Sequence, residues 1–360
     1  MALVILAVIA AACSSGSSSS GPSANALSVS SSHTLKLAFG ADMQVPDPDI
    51  FYEIEGNAVT TSVYEGLVRY ANGSPTIDPA LASSWTISPD GMTYTFTLRP
   101  GVTFHDGTPV NSAAAAFSFA RRTGVNSAPA YMLADVTSTE TPDPLTFVVH
   151  LDKPVSAFMD YLASPYGPKM MSPTGLKTYG GTDSAQTYLR THDLGTGAYT
   201  LTQAQVGRSY QLKAYPHWWG GTPYFQEVDL PVIADLSTQE LEFNQGQLAA
   251  MMHDLNAPAV KSYLASSSAA HYSLPTFDTS QIYFNPNSAT LKDQAVRVAL
   301  QQAINIKSLT DQVFSGRGQV ATGTYAPGLL KGGTPDTQKV TYDPSKLAAI
   351  VPTLAPNQRT

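Results

Sequence analysis

"DGMTYTFTLRPGVTFHDGTPV", residues 90–110, is the stretch on which the fold turns. In its first half Tyr94, Phe96 and Leu98 alternate with Thr93, Thr95 and Thr97, the period-two pattern of a strand with one apolar face. Its second half sets His105 beside Asp106, followed by Gly107, Thr108 and Pro109. Two readings compete there: a His–Asp pair that performs chemistry, or the corner of a β-structure. Adjacent strand residues point to opposite faces, so these two side chains do not orient one another. A catalytic histidine needs a carboxylate at one ring nitrogen and a nucleophile at the other, and the local sequence supplies neither in a rigid form. Asp-Gly before Thr-Pro is turn chemistry, because glycine accepts a positive φ. The stretch therefore predicts a strand, a turn at 99–101, a short extended piece and a corner.

The flanks extend this β-rich block. "SSWTI" (83–87) is a strand, and "SPDG" (88–91) carries Pro at i+1 and Gly at i+3 of a type I turn. Asn111 caps a helix "SAAAAFSFARR" (112–122), with Arg121 and Arg122 favourable to the dipole of its last turn and Gly124 as its stop. "LTFVVHL" (145–151) is a further strand. Upstream, "HTLKLAFG" (33–40) alternates through Leu35, Leu37 and Phe39. The two Xaa-Pro steps of "ADMQVPDPDIF" (41–51) impose an extended loop. "AVTTSVYEGLVRY" (58–70) places Val59, Val63, Leu67 and Tyr70 near helical spacing.

Downstream, residues 197–215 form a hairpin turning near Gly207-Arg208. "STQE" (237–240) is a capping box that opens a helix stopping at Gly246. "SQIYFN" (280–285) is a strand, and 293–305 a helix with Val296, Ala299, Leu300, Ala303 and Ile304 inward. Asn305 caps the next helix, which ends at Gly316. Strands and helices mix without a strict βαβα beat, which gives a mixed α+β / α/β class in two or three domains over 360 residues.

Hydrophobic residues make up 43% of the chain, enough for real cores, and charged residues only 13%. The balance of 20 basic against 27 acidic residues is −7, and no basic cluster stands out beyond Arg121-Arg122, so nucleic acid is excluded as a partner. Cys13 is the single cysteine, which rules out an intrachain disulfide. It ends the apolar run "MALVILAVIAAAC" (1–13), shorter than the roughly 20 residues of a membrane-spanning helix. The run fits a secretory signal, and Ala10-Ala11-Ala12 before Cys13 resembles a bacterial lipobox. That resemblance implies cleavage before Cys13 and a lipid on its sulfur; the alternative is a signal peptide with an incidental cysteine. No Lys or Arg precedes the run, which points to a start further upstream. Residues 14–32, Ser/Gly-rich and uncharged, form a tether that places the folded part at the outer face of the cytoplasmic membrane or in the periplasm.

No local pattern carries catalysis. The seven histidines are scattered without H-x-x-x-H, and there is no G-x-S-x-G, P-loop or G-x-G-x-x-G. Neither a metal site nor a cofactor is expected, and the chain is not expected to be an enzyme. "GTGAY" (195–199) is a tight turn into a strand rather than a phosphate cradle, and "WWGG" (218–221) is core plus corner rather than a sugar-stacking platform.

Five segments, "VYEGLVRY", "PALASSWTISPDGMTYTFTLRPGVTFHDGTPVNSAAAAFSFAR", "LGTGAYTL", "YPHWWGGTPYFQEVDLPVI" and "YFNPNSATLKDQAVRVALQQAIN", fall in an order that resembles the extracellular solute-binding proteins of family 5. These are the dipeptide- and oligopeptide-type receptors of bacterial ABC importers. The resemblance covers about residues 33–350. It implies a two-lobed, type II periplasmic-binding-protein fold (a Venus flytrap) with an extra small domain. Domain I would take 33–63 and 190–270, domain II 64–189, and domain III would begin within 271–360. It departs from the family in "NSAAAAF" after "DGTP", where acidic residues are common, and in length. The resemblance implies a truncated frame whose second lobe is incomplete, or else a minimal version of the protein.

The implied function is capture of di- or oligopeptides for a membrane permease by a monomer held to the membrane through its lipid anchor. By position relative to the motifs, Tyr52 and Tyr131 are ligand-proximal, Phe277 and Gln281 lie on a strand running to Asn285 toward the second lobe, and Met252 and His253 end a domain I strand. Nickel chelates, haem and oligosaccharides remain alternative ligands within the resemblance. A secreted hydrolase and a surface adhesin remain alternatives outside it.

Overall fold

The strand expected at 93–98 lies inside a four-stranded antiparallel sheet. The computed structural model describes residues 33–43, 45–251, 255, 257–266, 269–270, 279–314, 318–321 and 340–358. Along them run β1 (Thr34–Lys36), α1 (Asn57–Val63), β2 (Val68–Tyr70), β3 (Ile77–Pro79), β4 (Ala82–Ile87), β5 (Thr93–Leu98), α2 (Ser112–Val125), β6 (Val136–Asp143) and β7 (Thr146–Leu151). There follow α3 (Phe158–Ala163), α4 (Pro173–Tyr179), β8 (Tyr199–Gln205), β9 (Ser209–Ala214), β10 (Glu227–Pro231), α5 (Leu236–Asn244), α6 (Ala257–Ala265), α7 (Gln294–Ala303), α8 (Ile306–Phe314) and α9 (Pro344–Ile350). The architecture is mixed α/β, as the element pattern predicts.

The first sheet runs β4–β5–β7–β6. Phe96 on β5 stands opposite Trp85 on β4 and Phe147 on β7, and Tyr94, Phe96 and Leu98 are all buried. Helix α2 covers this face with Ala114, Ala115 and Phe119; the Phe119 and Phe147 rings are 5.1 Å apart. Asn111 caps α2 by accepting from the Ala114 amide at 2.9 Å. The helix does not stop at Gly124: it runs to Val125 and ends on Asn126 in the left-handed region (φ 49°), which asparagine tolerates better than most side chains.

The second sheet runs β1–β10–β9–β8, with β1 parallel to β10 and the remaining pairs antiparallel. Beyond β1, Phe39 bridges to Val232 and Leu37 to Ala250, so the chain ahead of the Pro-rich loop is stitched to the same sheet. Phe39, Val63, Tyr64, Leu189, Tyr210 and Leu230 form its core. The two cores are distinct: buried members of one lie between Leu67 and Met170, and those of the other lie in 39–64 and 171–230.

Three expected elements differ. Only the first half of 58–70 is helical; the chain leaves α1 at Tyr64 and continues as β2, because Leu67 and Val68 are drawn into the first core and the Val68–Tyr70 edge pairs with β3. Residues 279–285 form no strand, and Tyr283 is largely exposed. The cap of α5 is Asp235 rather than Ser237, accepting from the Thr238 amide at 2.8 Å; its carboxylate outcompetes the later hydroxyl. Helix α7 does bury Val296 and Ala299, packs on α9, and Asn305 caps α8 by accepting from the Ser308 amide at 3.0 Å. Among the described residues no helix is long and apolar enough to cross a membrane.

Candidate functional site

The corner at His105 is structural, and it is tied to a remote segment. Gly107 takes φ 81° and its amide donates to the Phe104 carbonyl at 2.9 Å, closing the turn, while Asp106 accepts from the Thr108 amide at 2.9 Å and from the Ser172 hydroxyl. His105 finds its carboxylate 88 residues away, in Asp193, at Nδ1, and its Nε2 meets the Gly197 carbonyl at 3.0 Å. Both partners accept, so both ring nitrogens donate and the ring is an imidazolium. Burial works against that charge, but the Asp193 bond and charge outweigh it and hold the His105 pKa above its usual value. No nitrogen is left for a nucleophile.

"GTGAY" packs tightly against α1: a Cβ on Gly195 would lie 2.0 Å from the Val63 carbonyl oxygen, and one on Gly197 2.2 Å from that of Ser62. Its glycines serve close backbone approach and the turn into β8. The Trp pair is likewise structural. Trp219 Nε1 donates to both Glu65 oxygens at 3.1 and 3.0 Å, Trp218 Nε1 reaches Glu65 at 3.4 Å, and Arg99 lies 4.3 Å over the Trp219 ring. Burial raises the Glu65 pKa, and the indole N–H bonds oppose it.

Arg121 and Arg122 do more than favour a helix dipole, as the sequence suggested; both are buried, Arg122 with none of its surface exposed. Their partners are the two aspartates of the Pro-rich loop. Arg121 Nη1 and Nη2 donate to Asp47 at 2.9 and 2.7 Å, and Nη1 also reaches Asp49 at 2.6 Å. Arg122 Nε donates to Asp49 at 2.9 Å, Nη1 to the Tyr166 carbonyl at 2.7 Å and the Pro129 carbonyl at 3.4 Å, and Nη2 to the Pro48 and Gly167 carbonyls at 3.0 and 3.1 Å. Two cations balance two anions, so the charges are paired as burial requires. One guanidinium thereby pins three loops, at 47–49, 129 and 166–167.

Those three loops carry a tyrosine cluster to the surface. The Tyr52 and Tyr131 hydroxyls are 3.1 Å apart, with their rings edge to face at 6.3 Å and 87°. Tyr166 lies 4.7 Å from Tyr52, ring to ring, and Tyr161 of α3 lies 5.8 Å from Tyr131. The Tyr166 hydroxyl donates to the Glu53 carbonyl at 3.1 Å and accepts from Asn57 Nδ2 at 3.1 Å. Tyr52 and Tyr131 remain 41% and 49% exposed, so the cluster presents flat apolar faces and hydroxyls to whatever approaches. The Tyr131 hydroxyl is pushed up to about 12, first by its bond to Tyr52 and then by burial, and remains a neutral donor-acceptor throughout the ordinary pH range.

Of the ligand-proximal residues expected from sequence, Tyr52 and Tyr131 are brought into contact. Gln281 is exposed in the strandless stretch 279–285, beside Tyr283. Met252, His253, Phe277 and Cys13 lie outside the described residues. Sequence reasoning missed Tyr161, Tyr166 and the Asp47–Asp49–Arg121–Arg122 network. One signal was visible: in a chain with only 13% charged residues, an Arg pair in an alanine helix and an Asp-Pro-Asp loop each demand a partner.

Residues 76–351 match the family described as "Bacterial extracellular solute-binding proteins, family 5 Middle". A curated relative, the probable D,D-dipeptide-binding periplasmic protein DdpA of Escherichia coli K12, is 28% identical over 303 residues, covering 82% of this chain and 57% of its own length. Among solved structures, the DppA periplasmic binding protein of Helicobacter pylori with the peptide STSA superposes with a TM-score of 0.74 at 23% identity, covering 89% of this chain and 65% of that one. NikZ of Campylobacter jejuni with Ni(L-His) gives the same TM-score, 0.74, at 23% identity, over 89% and 63%. The fold is thus that of the two-lobed binding proteins, and the chain spans 56–60% of the length of the curated relatives it matches.

Proposed function

The chain belongs to the bacterial extracellular solute-binding proteins of family 5, a family of binding proteins rather than enzymes, and on that premise we propose that it captures short peptides and delivers them to an ABC permease. The observation that carries this reading is the cluster Tyr52–Tyr131–Tyr161–Tyr166, with Tyr52 and Tyr131 exposed, above a buried arginine clamp. A surface that accepts many sequences needs rigid, amphipathic contacts with little rotamer entropy to lose, and tyrosines held by pinned loops meet that need. An extended peptide adds backbone pairing along exposed strand edges, and water fills pockets its side chains leave. Closure of two lobes over the peptide is a population shift, driven by contacts that exist only in the closed state. Relatives whose names or structures specify a D,D-dipeptide or the peptide STSA support the same class.

The proposal includes domain I at 33–63 and 190–270, domain II at 64–189 and the start of domain III in 271–360. The changeover of buried cores between Tyr64 and Leu67 supports the first boundary; the second core already includes Met171, Leu176 and Leu189. Gln281, Met252, His253 and Phe277 remain proposed ligand contacts. So does a lipid on Cys13, which a mass shift on that cysteine in membranes of the native host would reveal.

A native-state ligand at a hundred times its Kd stabilises by about 2.7 kcal/mol. A mixture of di- to tetrapeptides in excess is therefore expected to raise the Tm by several degrees. No rise with peptides, together with a rise on adding a nickel–histidine chelate, would favour the second reading, a metal chelate, which the NikZ likeness motivates.

A further inference from the structure

A cavity of about 250 Å³ lies at the junction of the two cores. Thr61, Tyr64 and Ala198 line it from one side, and Val68, Ala163 and Pro165 from the other. Two segments that build the cluster also reach the cavity. Within one segment Tyr161 and Tyr166 meet the other tyrosines while Ala163 and Pro165 face the cavity. On α1, Asn57 holds Tyr166, and Thr61, one turn on, lines the cavity.

One lysine is built into this wall. Lys169 is 6% exposed, and its ammonium donates to the Ser164 carbonyl at 3.3 Å. Among the described residues no carboxylate forms an ion pair with it within 4.0 Å. An ammonium has three protons to donate, so this group is under-satisfied where it stands. Glu65, on the same cavity, has its oxygens occupied by the two indoles, and Arg69 adds a second positive charge to the rim. A buried charge without a partner is costly, and an incoming anion removes that cost.

We propose that this cavity receives a side-chain carboxylate of the bound solute, held by the Lys169 ammonium, so that the site prefers acidic peptides. The proposal deepens the peptide reading and rests on it. The direction in which Lys169 is perturbed agrees: burial first, then the Arg122 charge, lowers its pKa to about 7, against a smaller opposing pull from Glu65. An arriving carboxylate would restore the proton.

The test uses three probes, Ala-Glu-Ala, Ala-Ala-Ala and succinate, on the full chain and on Lys169→Met, by calorimetry and thermal melting. In the wild type Ala-Glu-Ala is expected to bind about tenfold tighter than Ala-Ala-Ala, and Lys169→Met to abolish the difference. The variant removes an unpaired buried charge and keeps the side chain's length, so it is expected to melt cooperatively at or above the wild-type temperature. A measurement on the wild type alone guards against a misfolded variant. The acidic preference should fade between pH 6 and pH 9 as Lys169 loses its proton; the other titratable and charged groups facing it are Glu65, Arg69, Tyr64, Tyr70 and Arg122. Equal binding of the two tripeptides overturns the inference and leaves the peptide reading intact. Succinate stabilising the wild type but not the variant, with neither tripeptide bound, supports the cavity and sinks the peptide reading. No effect of any probe overturns both.

Discussion

Replacing Arg122 tests the claim that one buried side chain holds the tyrosine face together. Arg122→Met preserves most of the volume and removes five hydrogen bonds, one to the Asp49 carboxylate and four to carbonyls of Pro48, Pro129, Tyr166 and Gly167. Breaking a buried ion pair by deleting one partner costs about 3–5 kcal/mol, because the remaining charge stays buried. Asp49 retains Arg121 at 2.6 Å, which places the expectation toward the lower end of that span. With an unfolding entropy of about 2.1 cal/mol/K per residue, a chain of 360 residues shifts by roughly 1.3 °C per kcal/mol, so the Tm should fall by about 4 °C. Chemical denaturation of Arg122→Met, Asp49→Asn and the double variant gives the coupling directly. The two losses should fall short of additivity by about 1–3 kcal/mol, as expected for groups in one network. A single-variant loss below about 1 kcal/mol, or strict additivity, would refute the clamp.

Other expectations follow from the same geometry. Because His105 carries a raised pKa in the folded protein, its contribution to stability is complete below the unfolded value of 6.5 and is lost as pH rises through the folded value. Denaturant midpoints between pH 6 and 9 should show that decline, and Asp193→Asn should flatten it; an unchanged profile in the variant would remove His105 from the account. Gly195→Ala should cost about 3 kcal/mol, since its Cβ would sit 2.0 Å from a backbone oxygen, whereas Gly101→Ala, with open space but φ 77°, should cost roughly 1 kcal/mol; equal losses on denaturation would contradict the packing argument. Tyr131→Phe removes an exposed hydroxyl pair and should change stability by less than about 0.5 kcal/mol while weakening peptide binding several-fold in calorimetry; unchanged affinity would take Tyr131 out of the site.

How much of this was legible beforehand depended on the range of the interaction. The β5 alternation, the Ser88–Gly91 turn, the Asn111 cap, the corner at His105 and the hairpin around Gly207 all depend on residues within a few positions, and sequence spacing predicts each. Where local signals competed with burial they misled. Leu67 and Tyr70 keep helical spacing with Val59 and Val63, yet Leu67 belongs to the other core. The pair Tyr52 and Tyr131 was placed by its positions relative to family motifs, not by any property of the two residues.

The chain on its own determined its class, its lack of a local catalytic motif and the β-corner at 105–108, since backbone propensity, glycine and proline act where they stand. Tertiary structure alone decided that His105 meets Asp193, that Arg121 and Arg122 meet Asp47 and Asp49 across more than seventy residues, and that Lys169 faces a cavity with no ion-pair partner among the described residues. Charge pairing in a low-dielectric interior depends on distance in space, and no one-dimensional pattern encodes which distant groups burial will force together.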